Sequence, residues 1–487
     1  MFDLIQWRAR KSPEAPALFF NGRWYSYREM DGRANRLANR LLSLGIQRGD
    51  RVGVIAQNHL VHFDLLLAAP KVGIVFAPFN PHLGRDALAA MVAQVKPALV
   101  FADSRSHAAA AALGVPWTRL SDYREWLAVG SLDLPPMPAL DTNDPYMLLG
   151  TPGGMAVLPY RQVLLNARHA ADAWGLSSRD GTVHCLPCFG PELNLLCLPL
   201  LYRGGRVVLM SAFDTDEYLG HLALHRVTVS ALRPGMLRQL CEYGDFDEAD
   251  LSSLHWFGSV GAPAPAPVRQ MLARRGLPVR TLVGIAEVGP NLFHATLEDS
   301  GRRPELLGQP LPEVELTLRR ADGTVAAEGE TGTLSLSGPM LFSGYLDAKQ
   351  AAVPKFDHGQ FASEIVARKD LDGEWLWFGS GQDAFTSGTT LIYPGEIEAA
   401  LFKLDSVLDC AVSGVADRKL GMAILVSVVV QDGAPLHEEA LRASLAAQLP
   451  AAFQPSHFQR VKMLPRDAWG AVKRDELSQQ FARTREG

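Results

Sequence analysis

At 487 residues the chain is too long for one core and divides into about two to four folding units. Hydrophobic residues make up 47% and charged residues 20%, the formal net charge is −5, and no long block carries one sign, which excludes nucleic acid as a main partner. The N-terminus MFDLIQWRARKSPE lacks the apolar core of a signal peptide, and runs such as 195–202 are too short to span a bilayer, so a cytoplasmic protein with no membrane span is expected. The 5 cysteines are odd in number and sparse, which suits a reducing compartment. His184, Cys185 and Cys188 sit close together, but no second pair at ligand spacing follows, so buried free thiols and no metal are expected.

In chain order, Ser26-Tyr27-Arg28-Glu29 has the form of a capping box, and Met30, Ala34, Leu37, Ala38, Leu41 and Leu42 recur at helical spacing until Gly45. A strand (50–56), a helix (62–71), a strand (73–78), a helix (86–94) and a strand (98–102) follow, the alternation of a layered α/β sheet. Residues 120–144, rich in Asp, Leu and Pro, read as a connection.

The connection leads into YMLLGTPGGMAVLPYRQV, residues 146–163. Gly150, Thr151, Gly153 and Gly154 give this stretch the outline of a phosphate-cradling loop, in which backbone N–H groups wrap phosphate and a Lys neutralises it. No Lys lies within it, and the only nearby cation, Arg161, stands on the far side. Taken alone, a Gly-Pro-Gly-Gly cluster is a plain turn.

Beyond it the α/β pattern resumes with a helix (162–174), strands at 183–186 and 204–210, a helix (234–243) and the segment 254–263. Residues 308–345 become β-rich, with a turn at Asp322-Gly323. The polar, glycine-rich GSGQDAFTSG (379–388) reads as a linker, followed by a small α+β unit with helices at 396–404 and 437–449 and strands at 410–415, 423–430 and 458–464.

Several segments together resemble the adenylate-forming superfamily of acyl-CoA synthetases, peptide-synthetase adenylation domains and luciferases, over nearly the full length. They are Tyr25 to Met30 with Gly49-Asp50-Arg51-Val52, then Gly308-Gln309-Pro310-Leu311-Pro312, Glu328 to Leu334, Gly344-Tyr345 and Tyr393-Pro394-Gly395-Glu396-Ile397-Glu398. The resemblance implies an α/β fold. A large N-terminal AMP-binding-like domain of layered α/β subdomains would occupy 1–380, with a β-rich subdomain over about 305–380. A small mobile α+β domain would follow over 381–487, after a hinge near Asp383.

Members of that superfamily use ATP to turn a carboxylate into an acyl-adenylate, then pass the acyl group to a thiol of CoA or of a carrier protein. Here the loop is shortened by about two residues, with Gly154 near the place of the family's Lys. The adenine-side Tyr-Gly-x-Thr-Glu becomes Val283-Gly284-Ile285-Ala286-Glu287, which keeps only the carboxylate that helps hold Mg²⁺ in the family. In the ribose-binding segment, Gly359-Gln360-Phe361-Ala362-Ser363-Glu364-Ile365, Glu364 lies one place from the expected Asp. The catalytic Lys of the C-terminal signature is replaced by Ala471, with Lys473 the nearest substitute. The candidate catalytic residues are thus Glu287, Glu364 and Lys473.

The acyl side falls between Pro187-Cys188-Phe189-Gly190, Ser259-Val260-Gly261-Ala262-Pro263 and the segment from Val283 to Glu287. With Phe189, Gly190, Val260, Gly261, Val283, Gly284 and Ile285 small, apolar or aromatic, it suits a small hydrophobic acyl or aryl carboxylate or thioester, and Gly190 in place of the family's His leaves extra space. Losing one electrostatic stabiliser of a transition state costs on the order of 10²- to 10³-fold. Two readings follow: a ligase-like protein in which adenylation is lost or strongly reduced, without a cofactor, or an active acyl- or aryl-CoA or carrier-protein ligase with rearranged ATP and Mg²⁺ contacts.

Overall fold

In the computed structural model, residues 2–303, 305–430, 435–466 and 472–486 are described. Ser26 opens the first long helix as its sequence demands. Its hydroxyl accepts from Glu29 N at 3.2 Å while Glu29 Oε2 accepts from Ser26 N at 2.8 Å. Helix Tyr27–Ser43 then turns Met30, Ala34, Leu37, Ala38 and Leu41 inward, against helix Leu60–Val72, which is buried at every position. Each leucine so buried contributes about 1.5–3 kcal/mol. The charges inside this layer are compensated: Lys71 Nζ lies 2.7 Å from both Asp3 and Asp31, and Arg33 grips Asp64 with two bonds of 2.9 and 2.6 Å.

Among the described residues the strands form layers that match the expected α/β class. In the largest sheet Arg51–Ile55 runs parallel to Val75–Phe79 and Leu99–Ala102, and Val75–Phe79 is followed outward by Pro145–Thr151, Gly154–Pro159 and Gly344–Leu346. Gly181–His184 and Arg206–Leu209 pair in a second sheet, and Val229–Leu232, Trp256–Val260 and Val279–Leu282 form a parallel third. An antiparallel sheet carries Leu306–Pro310, Glu315–Arg319, Thr331–Ser337, Phe361–Lys369 and Trp375–Ser380. A large N-terminal domain is thereby followed by a small C-terminal one, whose core is the sheet of Asp409–Asp417, Gly421–Val429 and His457–Arg460 under helices Pro394–Leu401 and Glu438–Gln448.

Two sequence expectations need correction. The connection over 120–144 includes helix Tyr123–Ala128, because Tyr123 is buried and bonds Asp64 at 2.9 Å. The stretch 379–388 is more ordered than a flexible linker: strand Trp375–Ser380 runs into it, a 3₁₀ turn Gly381–Asp383 follows, and Phe385–Ser387 pairs with Thr390–Ile392. Ser380 Oγ accepting from Gln382 N at 3.3 Å gives the turn a cap that glycine content alone does not announce. Among the described residues no helix is long and apolar enough to cross a membrane.

Candidate functional site

The glycine-rich stretch is a tight β-hairpin. Pro145–Thr151 and Gly154–Pro159 pair antiparallel with Thr151 opposite Gly154, which leaves only Pro152 and Gly153 at the tip. The loop outlined by the sequence is therefore corrected to a two-residue turn that supplies its own bonds. Thr151 Oγ1 accepts from Gly153 N at 3.2 Å and donates to Gly154 O at 3.1 Å.

The ring of Tyr345 packs on this tip. A Cβ on Gly153 would collide with the Tyr345 hydroxyl, and one on Gly154, at φ +129°, would stand 3.5 Å from the ring. Tyr345 Oη donates to Glu287 Oε1 at 2.8 Å. Burial, reinforced by Glu287, raises the Tyr345 pKa and keeps its hydroxyl a donor. Glu287 is buried, and its backbone carbonyl accepts from Phe342 N at 2.8 Å, which fixes the loop that carries it. The fold thus brings Glu287, Thr151, Gly153 and Gly154 to one corner.

A cation does reach this corner, from a part of the chain that carries none of the sequence motifs. Lys355 Nζ lies 5.3 Å from the Tyr345 ring centroid. Arg161 is not that cation, since it donates to the carbonyls of Pro339 and Leu341 and to Asn143 Oδ1. As a cradle for a triphosphate the hairpin is a poor fit, because its hydroxyl and its Gly153 N–H are spent within the turn.

Strand alternation decides the ribose segment. In Phe361–Lys369, Phe361, Ser363 and Ile365 are buried while Ala362 and Glu364 are exposed. Glu364 and Ile365 thus face opposite sides of the sheet. Glu364 lies beside the turn at Gly381, where a Cβ would be 3.0 Å from its Oε2. Lys473 pairs with Glu476 at 3.8 Å, and among the described residues no hydrogen bond or ion pair joins Lys473 or Glu364 to Glu287. Ala471 lies outside the described residues.

Asp383 is held by Arg474, Nε to Oδ2 3.1 Å, and Arg474 also pairs with Glu398 and donates to Val412 O at 2.7 Å. Burial raises the Asp383 pKa against the pull of Arg474. For Arg474, burial works to lower the pKa, but Glu398 and Asp383 outweigh it. Asp383, Ser413, Lys473 and Arg474 line a cavity of about 760 Å³ beside this tie.

On the acyl side, Phe189 is buried with its ring centroid 6.2 Å from that of His82. The space expected at Gly190 is not empty: Glu192 Oε2 occupies the place of a side chain there, and Glu192 Oε1 accepts from Arg233 at 2.8 Å. Val260 ends strand Trp256–Val260, and Gly261, at φ +83°, donates to Leu282 O at 2.9 Å. After Val283 the chain folds back, with Ile285 N bonded to Gly289 O at 3.1 Å, so that Gly284 lies against the backbone of Pro290, where a side chain would collide. Gln162 Nε2 donates to Ala286 O at 2.7 Å. A small cavity of about 10 Å³ remains between Gln162, Asn166, Pro191, Asn194, Ala286 and Gly289.

Sequence reasoning missed Tyr345 as a site residue, together with Lys355, Glu192, Arg233 and Arg474. Glu192 left a signal, being a lone charge inside an apolar run. The five cysteines are buried free thiols, and among the described residues no group of three or more His, Cys, Asp or Glu side chains could hold a metal ion.

The layered large domain and the small C-terminal domain have the fold of the adenylate-forming class. The chain belongs to the AMP-binding enzyme family, which matches residues 5–346, and the C-terminal domain of that family matches residues 396–470. Among curated relatives, a feruloyl-CoA synthase of Amycolatopsis sp is 30% identical over 483 residues, covering 97% of each chain. Among solved structures, ATP-bound MatB from Rhodopseudomonas palustris superposes with a TM-score of 0.86 at 25% identity, covering 99% of each chain. The anthranilate CoA ligase AuaEII, in complex with anthranoyl-AMP, shares the fold with a TM-score of 0.89 at 19% identity over 99% of this chain and 98% of its own.

Proposed function

We propose that the protein is an acid–thiol ligase that activates an acyl or aryl carboxylate with ATP and transfers it to CoA, using nucleotide contacts that differ from the usual ones. The supporting observation is the chain-long similarity, at 30% identity, to a feruloyl-CoA synthase. On the nucleotide side, Glu287 would face a cation, Tyr345 would position that carboxylate, and Lys355 would supply the positive charge that the hairpin lacks. On the other side, the segments at Phe189, Val260 and Val283 to Ile285 would enclose the organic part of the acid. The moving part would be the small domain over 381–487, turning near Asp383.

One observation favours a second reading, in which adenylation is lost or strongly reduced. The hairpin spends its Gly153 N–H and its Thr151 hydroxyl on itself. Exchange of labelled pyrophosphate into ATP, measured across a panel of aryl and fatty acids and followed by thioester formation with CoA, separates the two. Acid-dependent exchange supports the ligase. Acid binding without exchange supports the second reading.

A further inference from the structure

The loop that carries Glu287 is closed on itself. Ile285 N donates to Gly289 O at 3.1 Å and Gly289 N donates to Ile285 O at 2.7 Å, so Ala286, Glu287 and Val288 form its tip, with Glu287 at the centre. Such a tip has no strand or helix of its own to fix it. Three buried amides do so from outside. Gln162 Nε2 donates to Ala286 O at 2.7 Å, and one turn further along helix Tyr160–Ala173 the Asn166 Nδ2 donates to Asn291 O at 2.6 Å. The Asn291 amide answers by donating to Asn166 Oδ1 at 3.1 Å and to Leu195 O at 3.0 Å. Gly289, at φ +113°, permits this approach, because a Cβ there would collide with the Asn166 amide. Gln162, Asn166 and Asn291 are 1%, 1% and 2% exposed, so bulk water does not compete for these bonds.

The helix that supplies Gln162 and Asn166 begins where strand Gly154–Pro159 of the glycine hairpin ends, and Leu195 directly follows the 3₁₀ turn Pro191–Asn194. The amides therefore fix the Glu287 loop against the hairpin's own helix and against the chain just beyond Gly190. We infer that Gln162, Asn166 and Asn291 are positioning residues, which hold the Glu287 carboxylate in register with the hairpin by gripping the loop that carries it. Gln162 and Asn166 take the loop by its backbone carbonyls, so they act through Glu287 and not in its place. The inference rests on the ligase reading for the reaction that this register serves. Misplacing a reacting group by about 1 Å costs on the order of 10²-fold in rate, which is the scale on which such a clamp matters.

The test joins acid-dependent pyrophosphate exchange to local hydrogen exchange, both on the full chain. Gln162→Met keeps the volume and removes the donor. It should lower kcat by roughly 10- to 100-fold while the KM for the acid changes less than about 3-fold. In a Glu287→Gln background the same substitution should cost less than about 2-fold more, because a residue that acts through Glu287 has nothing left to position. Backbone amides over 285–292 should exchange about 10-fold faster in Gln162→Met, while those of strand Val279–Leu282 keep their rate. Losses that multiply in the double variant overturn the inference, as does a loss confined to KM, and so do amides over 285–292 that exchange at the unmutated rate. Should the unmutated chain give no pyrophosphate exchange, the ligase reading alone falls, and the hydrogen exchange decides the inference. If Gln162→Met does not fold, Gln162→Asn, which draws the donor back by one methylene, takes its place in every comparison.

Discussion

Tyr345 and Glu287 are 58 residues apart in sequence, and the 2.8 Å bond between them joins strand Gly344–Leu346 of the large sheet to the loop that carries Glu287. Tyr345→Phe keeps the ring on the hairpin and removes only the donor. It should cost about 1–3 kcal/mol through the unpaired buried carboxylate, measured as a shift in urea midpoint. Gly153→Ala attacks the same contact by collision and should destabilise by a similar amount, about 1–3 kcal/mol. An unchanged midpoint in both variants would mean that the ring does not hold this corner.

Lys355 is exposed, so its influence should be electrostatic and sensitive to salt. Lys355→Ala should weaken ATP binding by roughly 3- to 10-fold at low ionic strength, with the difference shrinking as salt is raised. Arg161→Ala should leave nucleotide affinity unchanged while lowering stability, because Arg161 serves two backbone carbonyls. Calorimetry with ATP on both variants checks the contrast. An Arg161→Ala protein that folds normally and loses ATP would reverse the assignment.

At the linker, Arg474→Met would leave the buried Glu398 and the half-buried Asp383 without their cation. Removing the partner of a buried charge such as Glu398 costs about 3–5 kcal/mol. The expected outcome is faster proteolytic cleavage near residues 381–388, with the large domain surviving as a core. Cleavage at the wild-type rate would show that this cation does not restrain the linker.

The histidines set a pH dependence that does not involve the site. Burial lowers His59 to about 4, His62 to about 3 and His184 to about 4, from an ordinary 6.5. The folded protein therefore keeps them neutral where the unfolded chain takes up protons. The stability they contribute is complete above pH 6.5 and is lost as pH falls from there toward 4, at up to about 1.4 kcal/mol per pH unit for each. Unfolding midpoints between pH 7.5 and 5 should fall, and more shallowly in a His62→Gln, His184→Gln double variant. Equal slopes would refute the assignment.

The fold was legible wherever a local pattern carried its own physics. The Ser26 capping box and the spacing of Met30, Ala34, Leu37 and Leu41 needed no tertiary information, and the family resemblance ordered the rest. The site was legible only in part, because its decisive contacts are made across long stretches of chain. Nothing local at Gly153 says that Tyr345 covers it, and nothing local at Lys355 says that it reaches the same ring. Glu364 shows a different limit. Counting positions along the chain ignores that a strand turns successive side chains to opposite faces, and Glu364 lies on the exposed face while Ile365 is buried. Gly190 misled in the same manner, because a missing side chain suggests space, and Glu192 had already taken it.

The tie at Arg474 has a consequence for handling the chain. Arg474 begins the final helix, Arg474–Glu486, while Asp383 lies at the entrance to the small domain, so the chain's way in and its way out meet at one guanidinium. The chain between them is therefore closed into a ring by a side chain, and a pull on helix Arg474–Glu486 is transmitted first to the turn at Asp383.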